Sequence, residues 1–111
     1  MNRARRTGTD GENIACECFE ELYPHVERRS LKGRYDTGDL VTVPDLVIEV
    51  KSGATIDIPG WLRELDVEMD NAAATVGFVF VKPKGKRKPD DCWIIMRPAV
   101  VKKMLKEGGW A

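Results

Sequence analysis

In Pro44-Asp45-Leu46-Val47-Ile48-Glu49-Val50-Lys51, strand-preferring apolar residues follow a Pro-Asp turn signal and run up to a second turn signal at Ser52-Gly53. The stretch reads as a buried β-strand. Side chains alternate across a strand, so Leu46, Ile48 and Val50 share one face while Val47, Glu49 and Lys51 share the other. A carboxylate and an ammonium therefore project together from a core element. Isolated buried charges are costly, so this face needs an ion pair, a bound metal or an opening to solvent. An edge-strand salt bridge is the plainest of these readings.

Working outward, the chain has 111 residues, 42% of them hydrophobic, which suits one domain over 1–111 with one modest core. No apolar run approaches the roughly 18 residues that span a bilayer, and the charged start Met1 to Asp10 has no signal-like apolar segment behind it. A soluble cytoplasmic protein with no membrane partner is expected. Cys16, Cys18 and Cys92 are an odd count without a C-x-x-C pair, which argues against a disulfide framework and against a zinc site. Eighteen basic residues balance eighteen acidic ones, yet the signs are segregated. Arg3, Arg5 and Arg6 open the chain, Arg28, Arg29, Lys32 and Arg34 cluster in its first third, and Lys82, Lys84, Lys86, Arg87 and Lys88 form a dense run. Acidic residues gather at Asp10 to Glu21 and Asp57 to Asp70. The pattern fits one basic and one acidic face, or a set of separately solvated segments.

The spacing of Ile14, Ala15, Cys18, Phe19 and Leu22 predicts a helix from Gly8 to Leu22, with Thr9 or Asp10 as N-cap. Glu12 borders the apolar stripe near Phe19; it is either the end of a Thr9-x-x-Glu12 capping box or an acid turned toward the sheet edge. A first strand follows at His25 to Arg29, then a polar loop from Ser30 to Gly38 and a second strand from Asp39 to Val43. Pro44-Asp45 is expected to turn that strand tightly and antiparallel into Leu46 to Lys51. Asp57 or Ile58 starts a second helix with Pro59 in its first turn. Its inner stripe is Leu62, Leu65, Met69, Ala72 and Ala73, with Trp61 beside them; Glu64, Asp66, Glu68 and Asp70 read as a solvated face. Val76 to Lys82 is a continuous apolar, central strand, Pro83 to Asp91 a basic loop and Cys92 to Arg97 a fifth strand. Pro98 to Glu107 is a helix with Val100, Val101, Met104 and Leu105 inward, stopped by Gly108-Gly109. The expected fold class is α/β, a central mixed five-stranded sheet flanked by helices in the order α-β-β-β-α-β-β-α.

Asp39, Glu49 and Lys51 form a D-x9-E-x-K pattern within that order. The pattern resembles the PD-(D/E)XK nuclease superfamily, whose fold is restriction-endonuclease-like. The nearer resemblance is to archaeal-type Holliday junction resolvases, over roughly Arg5 to Gly53. It is carried by the basic N-terminus, Gly8-x-x-x-Glu12, a strand ending in arginines, a Ser/Gly/Lys loop, Gly38-Asp39-Leu40 and Ile48-Glu49-Val50-Lys51-Ser52. The resemblance implies Glu12, Asp39, Glu49 and Lys51 as catalytic residues and Ser30 as a loop contributor. Asp45 is a rival to Asp39, which is preferred, and the family's assisting helix residue, often a glutamine, has no counterpart in Trp61 to Asn71.

The residue types suit the chemistry on their own terms. Hydrolysis of a phosphodiester needs an activated water and neutralisation of charge on phosphate oxygens, which a hard, oxygen-liganded cation provides. Asp39, Glu49 and the Val50 carbonyl would hold Mg²⁺ or Mn²⁺. Lys51 would orient or deprotonate water, or stabilise the phosphorus transition state. Arg5, Arg6, Arg28, Arg29, Ser30, Lys32, Arg34, Lys84, Lys86, Arg87 and Lys88 would hold DNA backbone without reading bases. The expectation is thus a Mg²⁺-dependent structure-specific DNA endonuclease, a resolvase of four-way junctions acting as a homodimer. The alternatives are a nicking nuclease of the same fold or a non-catalytic nucleic-acid-binding module.

Overall fold

The run Val76-Gly77-Phe78-Val79-Phe80-Val81 is apolar at both parities, as a strand covered on two faces must be, and it forms the middle of a three-stranded sheet. The computed structural model describes residues 3–29 and 35–111, and the side chains of the first helix from Gly8 onward. In chain order the elements are α1 (Arg3–Phe19), β1 (Glu27–Arg28), β2 (Leu40–Val41), β3 (Leu46–Gly53), α2 (Ile58–Ala72), β4 (Val76–Pro83), a 3₁₀ turn (Pro89–Asp91), β5 (Trp93–Ile95) and α3 (Pro98–Glu107). β3 runs parallel to β4, from Leu46 opposite Val76 to Gly53 opposite Pro83, and β5 lies antiparallel on the other side of β4. A parallel pair needs a long crossover, which α2 supplies.

The sheet is layered between helices. On one side Ile48, Val50, Phe78 and Phe80 pack with Ile14 and Ala15 of α1, and the Phe19 ring lies 5.6 Å and 5.9 Å from those of Phe78 and Phe80. On the other, Val47, Val79 and Val81 pack with Leu65 of α2, flanked by Trp61, Leu62 and Met69. The start of α2 follows its sequence signals: the Asp57 side chain accepts from the Gly60 N–H at 3.1 Å, and Pro59 sits in the first turn, where its missing N–H has no partner to lose.

Several expectations are corrected. Among the described residues five strands are present in the expected order but in two sheets, one of three strands and a β1–β2 pair, so they form no five-stranded central sheet. The second strand pairs with the first, Glu27 opposite Val41 and Arg28 opposite Leu40, and the tight β2–β3 ladder is absent. A backbone hydrogen bond from Asp39 N, just before β2, to Ile48 O of β3 at 2.9 Å joins the two segments near the site. At the turn between them Pro44 has no N–H to give, and Asp45 adopts φ +71°. Helix α1 begins at Arg3, so Thr9 and Asp10 lie inside it and Thr9-x-x-Glu12 is not a capping box. Arg and Ala are strong helix formers, and that propensity outweighs the cap signal. At its other end the helix closes at Phe19, whose carbonyl accepts from both Leu22 N and Tyr23 N. Of the four residues placed inward on α3, Val100 is buried and Val101 half-buried, while Met104 and Leu105 are exposed. Ala73 is exposed because it is the left-handed cap that ends α2. Among the described residues no helix is long and apolar enough to cross a membrane. Cys16, Cys18 and Cys92 are free thiols, and burial raises the pKa of each.

Candidate active site

Glu49 sits mid-strand in β3 on the α2-facing parity and is 2% exposed. Its Oε2 is 3.8 Å from Lys51 Nζ, two residues along on the same face, while its Oε1 is buried with no hydrogen-bond partner. Lys51 Nζ donates to Glu64 Oε2 of α2 at 2.6 Å.

Asp39 is delivered to this strand by the turn before it. Gly38 has φ +104°, and a Cβ there would stand 2.9 Å from Val47 Cγ1 and 3.0 Å from the Ile48 carbonyl oxygen, so the chain needs a residue without a side chain to come this close. The Asp36 carboxylate holds the turn by accepting from Gly38 N at 2.8 Å. Asp39 then straddles Glu49: its backbone N donates to Ile48 O, and its Oδ2 accepts from Val50 N at 2.7 Å. These two bonds seat Asp39 beside Glu49.

Glu12 arrives from α1. Gly11 lies so close to Ser52 that a Cβ would be 2.8 Å from the serine's Cβ and Oγ, and this approach lays the first helix against the end of β3. Arg28 Nε of β1 donates to Glu12 Oε2 at 3.3 Å. Glu12, Asp39, Glu49, Val50 and Lys51 thus line one cleft of about 280 Å³, together with Asp36, Ser52 and Glu64. Asp45 goes elsewhere. Its carboxylate accepts from Thr75 N at 2.6 Å and from Thr75 Oγ1 at 2.8 Å, pinning the start of β3 to the start of β4.

Two residues of the site were not expected. Glu68, read from sequence as solvated, is 1% exposed, and neither of its carboxylate oxygens has a hydrogen-bond partner. Glu64 joins it one helical turn earlier, and Glu49, Glu64 and Glu68 each offer an oxygen within 4.8 Å of the others. The signal was present: at about 100° per residue Glu68 falls about 20° from Trp61, inside the apolar stripe of α2. Burial, and then the neighbouring Glu68 carboxyl, push the Glu49 pKa up to about 10 against the opposing pull of Lys51. Burial likewise raises Glu68. Burial alone would lower Lys51, but its hydrogen bond to Glu64 and the charges of Glu49, Glu64 and Glu68 outweigh that and hold it above its ordinary value. Lys51 is thus an ammonium facing carboxyls that resist ionising without a further cation. Hard oxygen donors with unpartnered lone pairs fit a divalent ion of the Mg²⁺ or Mn²⁺ type.

The basic residues divide. Arg28 stands at the cleft through Glu12. Arg29 is half-buried and lines a separate depression with Val41, Pro44 and Leu46, away from the cleft. Lys84 and Arg87 line a cavity of about 460 Å³ with Gly53, Ala54 and the largely buried Lys82. That cavity and the cleft meet at the Ser52-Gly53 step. Lys86 and Lys88 are exposed on the same loop. The side chains of Arg5 and Arg6, and Ser30, Lys32 and Arg34, lie outside the described residues. No protein-family model, curated protein or solved structure matches this chain.

Proposed function

We propose that the chain is a metal-dependent DNA endonuclease of the PD-(D/E)XK type acting on branched DNA, with the four-way junction as its substrate. The reading is carried by one observation: Glu12 from α1, Asp39 from the turn before β2, and Glu49 and Lys51 from β3 converge on one cleft. The order α-β-β-β-α-β-β-α, with parallel β3 and β4 bridged by α2, supports a restriction-endonuclease-like fold. Asp39, Glu49 and the Val50 carbonyl would hold Mg²⁺ or Mn²⁺. When bound, the ion supplies a hydroxide near neutral pH and neutralises charge on the phosphate. Lys51, held as an ammonium, stabilises charge on phosphate oxygens and is poorly suited to act as a base. Glu12 orients water at the cleft mouth, its own position set by Arg28.

The Lys82, Lys84 and Arg87 cavity, one step along β3, would receive a neighbouring phosphate of the same strand. Resolution of a junction requires two symmetric nicks, hence a twofold dimer. Trp93, Ile94, Met104, Leu105 and Trp110 are exposed apolar residues available for that contact, whereas Trp61 packs against the α2-side core. The test is incubation of purified protein with four-way, Y-form and linear duplex DNA, with and without Mg²⁺. Mg²⁺-dependent cleavage of the four-way junction by paired nicks is expected. Single nicks alone would favour the nicking nuclease, and binding without cleavage the non-catalytic module.

A further inference from the structure

Behind the cleft, on the α2 side of Glu49, lies a group of acids that the Asp39–Glu49 pair does not use. Glu68 is 1% exposed, and both of its oxygens, together with Glu49 Oε1, are buried without a hydrogen-bond partner. Two ionised carboxylates have no proton to donate to each other, so only a shared proton or a cation between them satisfies these atoms. Glu64 extends the group toward solvent, with oxygens of Glu49, Glu64 and Glu68 all within 4.8 Å of one another. Oxygens on opposite sides of an ion stand at twice the metal–oxygen distance, about 4.0–4.2 Å for Mg²⁺ and about 4.6–5.2 Å for Ca²⁺. A spacing of no more than 4.8 Å admits such a shell. Charge agrees: once an ion draws all three carboxyls into their ionised form, they and the Lys51 ammonium sum to −2, which one divalent ion cancels.

We infer that Glu68, Glu64 and Glu49 form a second divalent-cation site, separate from the Asp39 side of the cleft and sharing Glu49 with it. An ion there takes over the Glu64 carboxylate that now accepts from Lys51, and it repels the ammonium. Lys51 is thereby released toward Glu12 and Asp39, so filling the inner site sets the charge presented by the outer one. The inference stands on these carboxylates themselves and holds whatever substrate the cleft takes.

The probe is Mn²⁺ alone, counted by the electron paramagnetic resonance of the free ion over the full chain near neutral pH. Wild type is expected to bind one more ion per chain than Glu68→Gln, and Asp39→Asn to keep the ion that Glu68→Gln loses. Equal counts in wild type and Glu68→Gln overturn the site, and loss of the same single ion in both variants overturns its separateness from the cleft. Should Glu68→Gln fail to fold by circular dichroism, Glu64→Gln decides, because its position is exposed: weakened binding of that ion supports the site and an unchanged isotherm sinks it. Cleavage is scored separately, so a protein that binds both ions and cuts no DNA would end the nuclease reading alone.

Discussion

The two faces of β3 differ in chemistry along one and the same strand. Toward α1 the strand presents Leu46, Ile48 and Val50 to Ile14, Ala15 and two phenylalanines, an apolar layer. Toward α2 it presents Val47 and then Glu49 and Lys51, met by Leu65 and Glu68. Same strand and same backbone hydrogen bonds serve both, so the contrast comes from side chains alone. One face supplies stability; the other retains buried carboxyls without hydrogen-bond partners at a cost in stability, which the proposed cation site would offset.

The sharpest way to break the contrast is to remove chemistry without touching packing. Asp39→Asn and Glu49→Gln are each expected to reduce Mg²⁺-dependent junction cleavage by at least about a thousandfold, about 4 kcal/mol of transition-state stabilisation. Junction binding in gel shift should persist, since no backbone contact is lost. Retained cleavage in both would remove the cleft from the reaction. The opposite face gives the converse. Phe80→Ala, in the α1-side layer, is expected to cost about 3–5 kcal/mol in urea unfolding. A loss under about 1 kcal/mol would mean that this layer relaxes around the cavity.

The third prediction concerns sign. Without metal, Glu68→Gln replaces a carboxyl that needs a shared proton with an amide that donates to Glu49 without one, and stability should rise by about 1–3 kcal/mol. A substitution that stabilises in the layer on one side of β3, beside one that destabilises in the layer on the other, is the contrast in its plainest form. Urea melts in chelator would show it, and a loss of stability would mean that Glu68 is already satisfied within the fold.

How far this contrast was legible depends on range. The parity of β3 was readable because alternation is local, and so were the start of α2 at Asp57-Ile58-Pro59 and the two-sided burial of β4. The convergence of Glu12, Asp39, Glu49 and Lys51 was reached through resemblance, and the geometry that achieves it rests on Gly38 and Gly11, whose contacts to Val47, Ile48 and Ser52 are long-range. Pairing of β2 with β1 was not readable, since two-residue strands carry no register signal of their own. Glu68 was misread because its charge was weighed above its angle on the helix. The start of α1 was misread because a good N-cap signal was allowed to override Arg and Ala propensity.

A smaller effect tests whether the active face extends past Gly53. Neutralising Lys84, Lys86, Arg87 and Lys88 together should weaken junction binding and flatten its dependence on salt, each lost phosphate contact removing about 0.9 from the logarithmic slope. Lys84 and Arg87, which line the cavity at Gly53, should account for most of the change, and Lys86 and Lys88 for little. An unchanged slope would confine the DNA path to the cleft.

The smallest effect belongs to Asp45, at the head of the same strand. Its carboxylate accepts from Thr75 N and Oγ1, and these bonds, the side-chain one first, hold its pKa below the ordinary value of 3.8. A depressed folded-state pKa means stability that is present above the unfolded value near 3.8 and is lost as pH falls through the lower folded value. Because Asp45 is exposed, the change should be slight and confined to acid below about pH 4. Asp45→Asn keeps acceptors for Thr75 and tolerates the left-handed backbone, so it should leave neutral-pH stability and junction cleavage near wild type while removing the acid-side dependence. Thermal melts from pH 2.5 to pH 7 with a parallel cleavage assay check both, on the order of a few degrees at most. Loss of cleavage in Asp45→Asn beside full activity in Asp39→Asn would reverse the assignment and move the first metal ligand to Asp45, and with it the contrast between the two faces of β3.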